Sequence, residues 1–164
     1  VNGVGHDRQD GMLMDIRFLA DAMLGSLARW LRVMGYDTLY QTFYRKEERA
    51  ELLSEGRMLL SRHRKTIRHY PISLFILSDH VGEQVRQMKE TGLLHSDRSQ
   101  WFTRCLRCNV SLEKADSREA RESVPDHVFT HHAEGIRLCP SCNRYYWSGS
   151  HRESMVRQLE EWVV

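Results

Sequence analysis

No apolar run in this sequence approaches the roughly 18 to 20 residues that cross a bilayer, so it offers no transmembrane helix. It has no glycine-rich phosphate loop and thus no nucleotide cradle of that kind. No internal repeat or low-complexity tract occurs, which sets solenoid architectures aside. Neither sign of charge dominates: a net charge of +2 neither demands nor forbids a nucleic-acid partner. Cysteine is confined to Cys105, Cys108, Cys139 and Cys142, and none stands outside two CxxC pairs to serve as a nucleophile. An export signal is also missing. Residues 1–14 are polar, and the apolar stretch after them is broken by Asp15, Arg17 and Asp21. Cytoplasmic residence is the expectation. Residues 1–14, which include Met12 and Met14, are expected to be a disordered extension or to precede the true start.

A hydrophobic fraction of 41% and a charged fraction of 28% lie in the globular range. At 164 residues the chain suits one ordinary domain, or a smaller one with a metal-stabilised appendage. Residues 16–20 (IRFLA) read as a short buried strand ending at Asp21. Residues 22–34 place Leu24, Leu27, Leu31 and Met34 on one helical stripe, closed by Gly35. Strands are expected at 36–42, 58–61 and 72–77, the last (ISLFIL) being the strongest. Helices are expected at 44–55 and at 81–90, where Val81, Val85 and Met88 share a face. Strands separated by helices predict an α/β domain over 15–95 with a parallel sheet and right-handed crossovers. In such sheets ligands bind beyond the carboxyl ends of the strands. Asp21 and Asp79 fall there and are expected to converge. Composition changes near His95, and residues 96–164 form a second unit with a C-terminal helix.

That second unit opens with CLRC and closes with CPSC. Each CxxC turn aims two thiolates at one ion at about 2.3 Å, and four thiolates complete the closed tetrahedral shell of structural zinc. Two disulfides or redox pairs are the alternative, disfavoured without an export signal. His127, His131, His132 and His151 are further possible ligands, read instead as surface or packing histidines. After the second knuckle, Arg144, Tyr145, Tyr146, Trp147, His151 and Arg152 interleave rings with cations, as single-stranded nucleic acid requires, though the same rings could pack a ribbon with little core of its own.

The first unit supplies carboxylates: Asp21 and Asp79 at strand ends, Asp37, and Glu47, Glu48 and Glu51 on a polar helix. Grouped carboxylates can hold Mg²⁺ or Mn²⁺, activating water against a phosphodiester, whereas a single Asp after a strand commonly caps a helix. Between Arg57 and Arg68 lie Arg62, His63, Arg64 and Lys65 with no carboxylate, which is either a phosphate-contacting surface or a solvated loop.

Taken in order, FLADAMLGSLARWLRVMGYD (18–37), EGRMLLSRHR (55–64), SDHVGEQVRQM (78–88), RCLRCN (104–109), VPDHV (124–128) and CPSCNRYYWSGSH (139–151) closely resemble the Mut-seven C-terminal ribonuclease family. The resemblance implies a PIN-like parallel sheet flanked by helices, followed by a small four-cysteine zinc ribbon. It implies metal-dependent hydrolysis of RNA, with Asp21 and Asp79 at acidic positions about a catalytic Mg²⁺ or Mn²⁺, Glu47 as the nearest substitute for a displaced acid, and Zn²⁺ in the ribbon. From the basic segment and the ring-rich second knuckle, Arg62, Arg64, Lys65, Arg144 and Trp147 are the residues expected to contact RNA. Two departures stand out. Ser61-Arg62-His63 replaces a threonine-arginine-aspartate step, and Arg45 and Lys46 stand where an acidic residue usually opens the second helix. His63 would then ligate a softer ion, act as general acid or base, or join a phosphate-binding surface in a chain that has lost catalysis. The expected function is therefore an endoribonuclease, impaired at His63. The alternative is an inactive RNA-binding or protein-interaction module of the same fold, with the ribbon as the protein-contact surface.

Overall fold

A computed structural model describes residues 16–95 and 97–163. The extension expected at 1–14 lies outside them. Four short strands, β1 (Phe18–Ala20), β2 (Thr38–Tyr40), β3 (Met58–Ser61) and β4 (Ser73–Phe75), form a parallel sheet in the order β2-β1-β3-β4. The expected α/β class is borne out. Alternation along each strand splits its side chains between two faces. Phe18, Ala20 and Leu60 enter the large core, whereas Leu19 and Leu59 enter a smaller one with Tyr44.

After β1, Asp21 caps a 3₁₀ turn (Ala22–Leu24) that runs into helix α1 (Gly25–Val33), which buries Leu27, Ala28 and Leu31. Gly35 closes it at φ +94°, a conformation that favours glycine. A Cβ there would also lie 2.6 Å from the Gln100 carbonyl oxygen. Helix α2 (Lys46–Ser54) is polar and rests only Leu52 and Leu53 on the smaller core. Helix α3 (Arg64–Ile67), read from sequence only as a basic segment, carries the crossover between the parallel strands β3 and β4. The ISLFIL run expected over 72–77 pairs over a shorter span. It is an edge strand, and the Leu77 amide turns away to the side chain of Gln87 on helix α4 (Val81–Glu90).

The ribbon is a three-stranded antiparallel sheet, β5 (Glu113–Lys114), β6 (Arg137–Leu138) and β7 (Tyr145–Tyr146). Helices α5 (Ser117–Ser123) and α6 (Asp126–His132) enclose a small core of Ala120, Val124, Val128 and Ile136. The last helix, α7 (Ser150–Val163), leaves the ribbon and sends Met155, Leu159 and Val163 into the large core of the α/β unit. Its Trp162 ring meets Trp30 of α1 at 4.7 Å between centroids. Among the described residues no helix is long and apolar enough to cross a membrane.

Candidate functional site

The four cysteines converge. Their sulfurs all lie within 4.8 Å of one another, and Cys105 Sγ and Cys142 Sγ are 3.8 Å apart. A tetrahedron with bonds of about 2.3 Å has edges of about 3.8 Å, so the donors match the size and chemistry of zinc. The two knuckles are built alike. Asn109 and Asn143, each following its CxxC, take positive φ (66° and 56°) and return their amides to the carbonyls of Cys105 and Cys139 at 2.9 Å. Asparagine tolerates that left-handed turn better than most residues. Burial pushes the Cys105 thiol up, but the Tyr146 hydroxyl and the amides of Cys108 and Arg107 outweigh it, lowering the thiol to about 6. Burial raises the neighbouring Cys139 thiol instead. Crowded thiols cannot all ionise without a cation, and a divalent ion removes that conflict.

The first knuckle is bolted to the α/β unit. Asp37 accepts hydrogen bonds from Arg57 Nη1 and Nη2 (2.8 and 3.1 Å) and from Asn109 Nδ2 (2.7 Å), while Asn109 Oδ1 accepts from the Thr38 amide at 2.9 Å. Arg32, buried on α1, donates to the carbonyls of Thr38, Leu106 and Arg107 at 2.9 to 3.1 Å. Asp37 is therefore a strut rather than part of an acidic cluster. Arg57, read from sequence as part of the basic segment, is 7% exposed and serves that strut.

At the opposite, carboxyl end of the sheet, Asp21 follows β1 and Ser61 ends β3, flanking the point where strand order reverses, where ligands of such sheets commonly bind. Asp21 is 8% exposed and each of its oxygens has a partner. Oδ1 accepts from the Ala22 amide (2.9 Å) and faces Arg49 Nη2 at 3.8 Å; Oδ2 accepts from the Ser61 hydroxyl at 2.7 Å. The Ser61 oxygen in turn accepts the His63 amide at 3.0 Å. The Arg49 guanidinium thus faces Asp21 as an ion pair without a hydrogen bond, and its Nε is buried without a partner.

The other expected catalytic groups do not gather there. Glu47 is exposed on the first turn of α2, and Arg45, at its N-cap, makes no capping bond. His63 is exposed, and Asp79 has a 71% exposed side chain 3.7 Å from the His80 imidazole. Among the described residues the four cysteines are the only three or more His, Cys, Asp or Glu whose ligand atoms lie within 4.8 Å of one another. Asp21, Glu47, Asp79 and His63 thus present no assembled donor set for Mg²⁺ or Mn²⁺, which need several hard oxygens.

Just after β3, on and around α3, lies a cationic surface. Arg64, Lys65 and Arg68 are exposed, Arg62 is half-buried, and none forms an ion pair among the described residues. Arg64 lies over the Phe75 ring at 4.5 Å, fixing one cation at the strand ends. Sequence reasoning gave no role to Arg49, Arg32 or Asn109, and named Ser61 only as the start of the Ser61-Arg62-His63 step; Asn109 left a signal as the asparagine repeated after both knuckles.

A family model described as the Mut7-C RNAse domain matches residues 16–159. No curated protein and no solved structure matches.

Proposed function

Because this chain belongs to the Mut7-C RNase domain family, we propose that it engages RNA through the carboxyl edge of its PIN-like sheet, and that it binds the strand without hydrolysing it through a divalent metal. The observation that carries this reading is Asp21. Its oxygens accept from Ser61 and the Ala22 amide, and an arginine, Arg49, faces it at 3.8 Å where hydrolysis would call for a metal ion. The two acidic positions that the resemblance leads one to expect nearby are held by His63 and by Arg45 or Lys46. What remains is a surface of Arg62, Arg64, Lys65 and Arg68 suited to phosphates, with His63 among them. A zinc held by the ribbon's four thiolates would have no open position and would therefore be structural.

The second reading is metal-dependent hydrolysis, favoured by the family's RNase character. It would require Arg49 to leave Asp21, and Glu47 or Glu48 and Asp79 to close on the metal. Incubation of the zinc-loaded protein with single-stranded RNA and Mn²⁺ or Mg²⁺ separates the two. We expect salt-sensitive binding and no cleavage, with cleavage emerging only when a His63→Asp, Arg49→Ala double variant supplies a second carboxylate and frees the first. Metal-dependent cleavage by the wild type that Asp21→Asn abolishes would establish the second reading. No RNA binding at low salt would remove both.

A further inference from the structure

Two cavities lie where the ribbon meets α7, the second of them also reaching Arg29 of α1, and neither is lined by Asp21. One, of about 290 Å³, is lined by Trp101, Arg104, Arg137, Trp147 and Arg152. The other, of about 390 Å³, is lined by Arg29, Arg107, Arg144 and His151. Phe102, Leu106 and Tyr146 line both and form the wall between them. Neither lining contains a carboxylate. Arg29, Arg107, Arg137 and Arg144 are exposed and, among the described residues, their side chains make no hydrogen bond or ion pair. Four uncompensated cations around two concave aromatic pockets call for an anion that also carries flat rings.

Each cavity is at the small end of ligand pockets, which run from about 300 to 1,000 Å³. That suits one nucleotide apiece. The rings are held ready: the Tyr146 hydroxyl lies 3.1 Å from the Cys105 sulfur, and the Phe102 ring is covered by Arg152 at 4.6 Å. Trp101 is 6% exposed and its buried Nε1 has no acceptor, leaving a donor unmet in the lining. Trp147, by contrast, is 36% exposed at the mouth. A base in a duplex is stacked on its neighbours and cannot enter such pockets, whereas an unpaired base can.

We propose that these cavities bind two successive nucleotides of single-stranded RNA, the bases against Trp147, Tyr146 and Phe102 and the phosphates against Arg137 and Arg144. The choice of RNA rests on the proposed function, but the site is separate from the α3 surface, so the two can fail independently.

The test uses the zinc-loaded full chain and fluorescein-labelled single-stranded RNA of about ten nucleotides, a length within the range single-strand modules cover, followed by anisotropy. Trp147→Ala should weaken binding about 5- to 150-fold, the worth of one stacked base, and Trp147→Phe, which keeps a ring, should retain most of the affinity. Arg144→Glu should weaken binding and flatten its salt dependence, and duplex RNA should compete poorly. Trp147 and Arg144 are exposed, so unchanged circular dichroism is expected and is checked for each variant. Unaltered affinity in both Trp147→Ala and Arg144→Glu, with loss in Arg64→Glu, would overturn this inference and leave the α3 reading standing. Loss in the cleft variants with none in Arg64→Glu would uphold the inference and overturn the α3 reading. Equal competition by duplex would overturn the stacking assignment.

Discussion

Replacing Asp37 with alanine tests whether the zinc knuckle and the α/β unit are one mechanical structure. The carboxylate takes both Nη groups of Arg57 and the Asn109 amide, and Arg57 is nearly buried. Once it is gone, Arg57 keeps only a 3.4 Å contact with the Phe18 carbonyl and a 3.6 Å approach from exposed Glu55. Removing one member of a buried pair costs about 3–5 kcal/mol, because the survivor stays desolvated. For a chain of this size each kcal/mol moves Tm by about 2–4 °C, so Asp37→Ala should melt roughly 6–20 °C below wild type by calorimetry. The strut also has a pH signature. Burial pushes the Asp37 carboxyl up, but the hydrogen bonds from Arg57 and Asn109, with the charges of Arg57 and Arg104, more than offset it and leave it below the usual carboxylate range. A folded-state pKa below the unfolded value of about 3.9 stabilises the fold above that pH, and the contribution is lost as pH falls through the folded value. Asp37→Asn should therefore flatten the acid limb of a Tm-against-pH curve while lowering its neutral plateau. A Tm within about 2 °C of wild type for Asp37→Ala, less than 1 kcal/mol on the same scale, would refute the strut.

Metal analysis of freshly purified, reduced protein should find one zinc per chain, since the sulfur spacing fits a single tetrahedral ion. Chelation should lower Tm and also weaken the α/β unit, because the Thr38 amide loses Asn109 when the first knuckle opens; an unchanged melt after verified zinc removal would contradict that. Gly82→Ala on α4 should destabilise by about 1–3 kcal/mol through overpacking, since its Cβ would meet Trp162 of α7 at 2.6 Å. A Gly82→Ala variant more stable than wild type, as helix propensity alone would give, would show that α7 does not press on α4 as described.

Why some of this was legible in the sequence, and some not, follows from how far each interaction reaches along the chain. The stripe of Leu24, Leu27 and Leu31 through the 3₁₀ turn and α1, the Gly35 stop and the buried Leu59-Leu60 pair are local, and they appear where the spacing places them. The two CxxC turns carry their own geometry, so the metal centre could be read directly. The short helix α3 was hidden because it buries no residue fully and so leaves no apolar period. The helical pattern of α7 shows that it has an apolar face, but not that Met155 and Leu159 join the large core of the α/β unit, with α7 packed on α4, rather than the ribbon beside them. The candidate site is harder still. Asp21, Arg49 and Ser61 come from three elements, and their pairing is decided by the order β2-β1-β3, which no local pattern records. An aspartate at a strand end reads the same whether it faces a metal or an arginine. Since Arg49 faces Asp21 at 3.8 Å, the proposed choice between binding and hydrolysis at this edge turns on a residue that the sequence pattern assigned only to a polar helix.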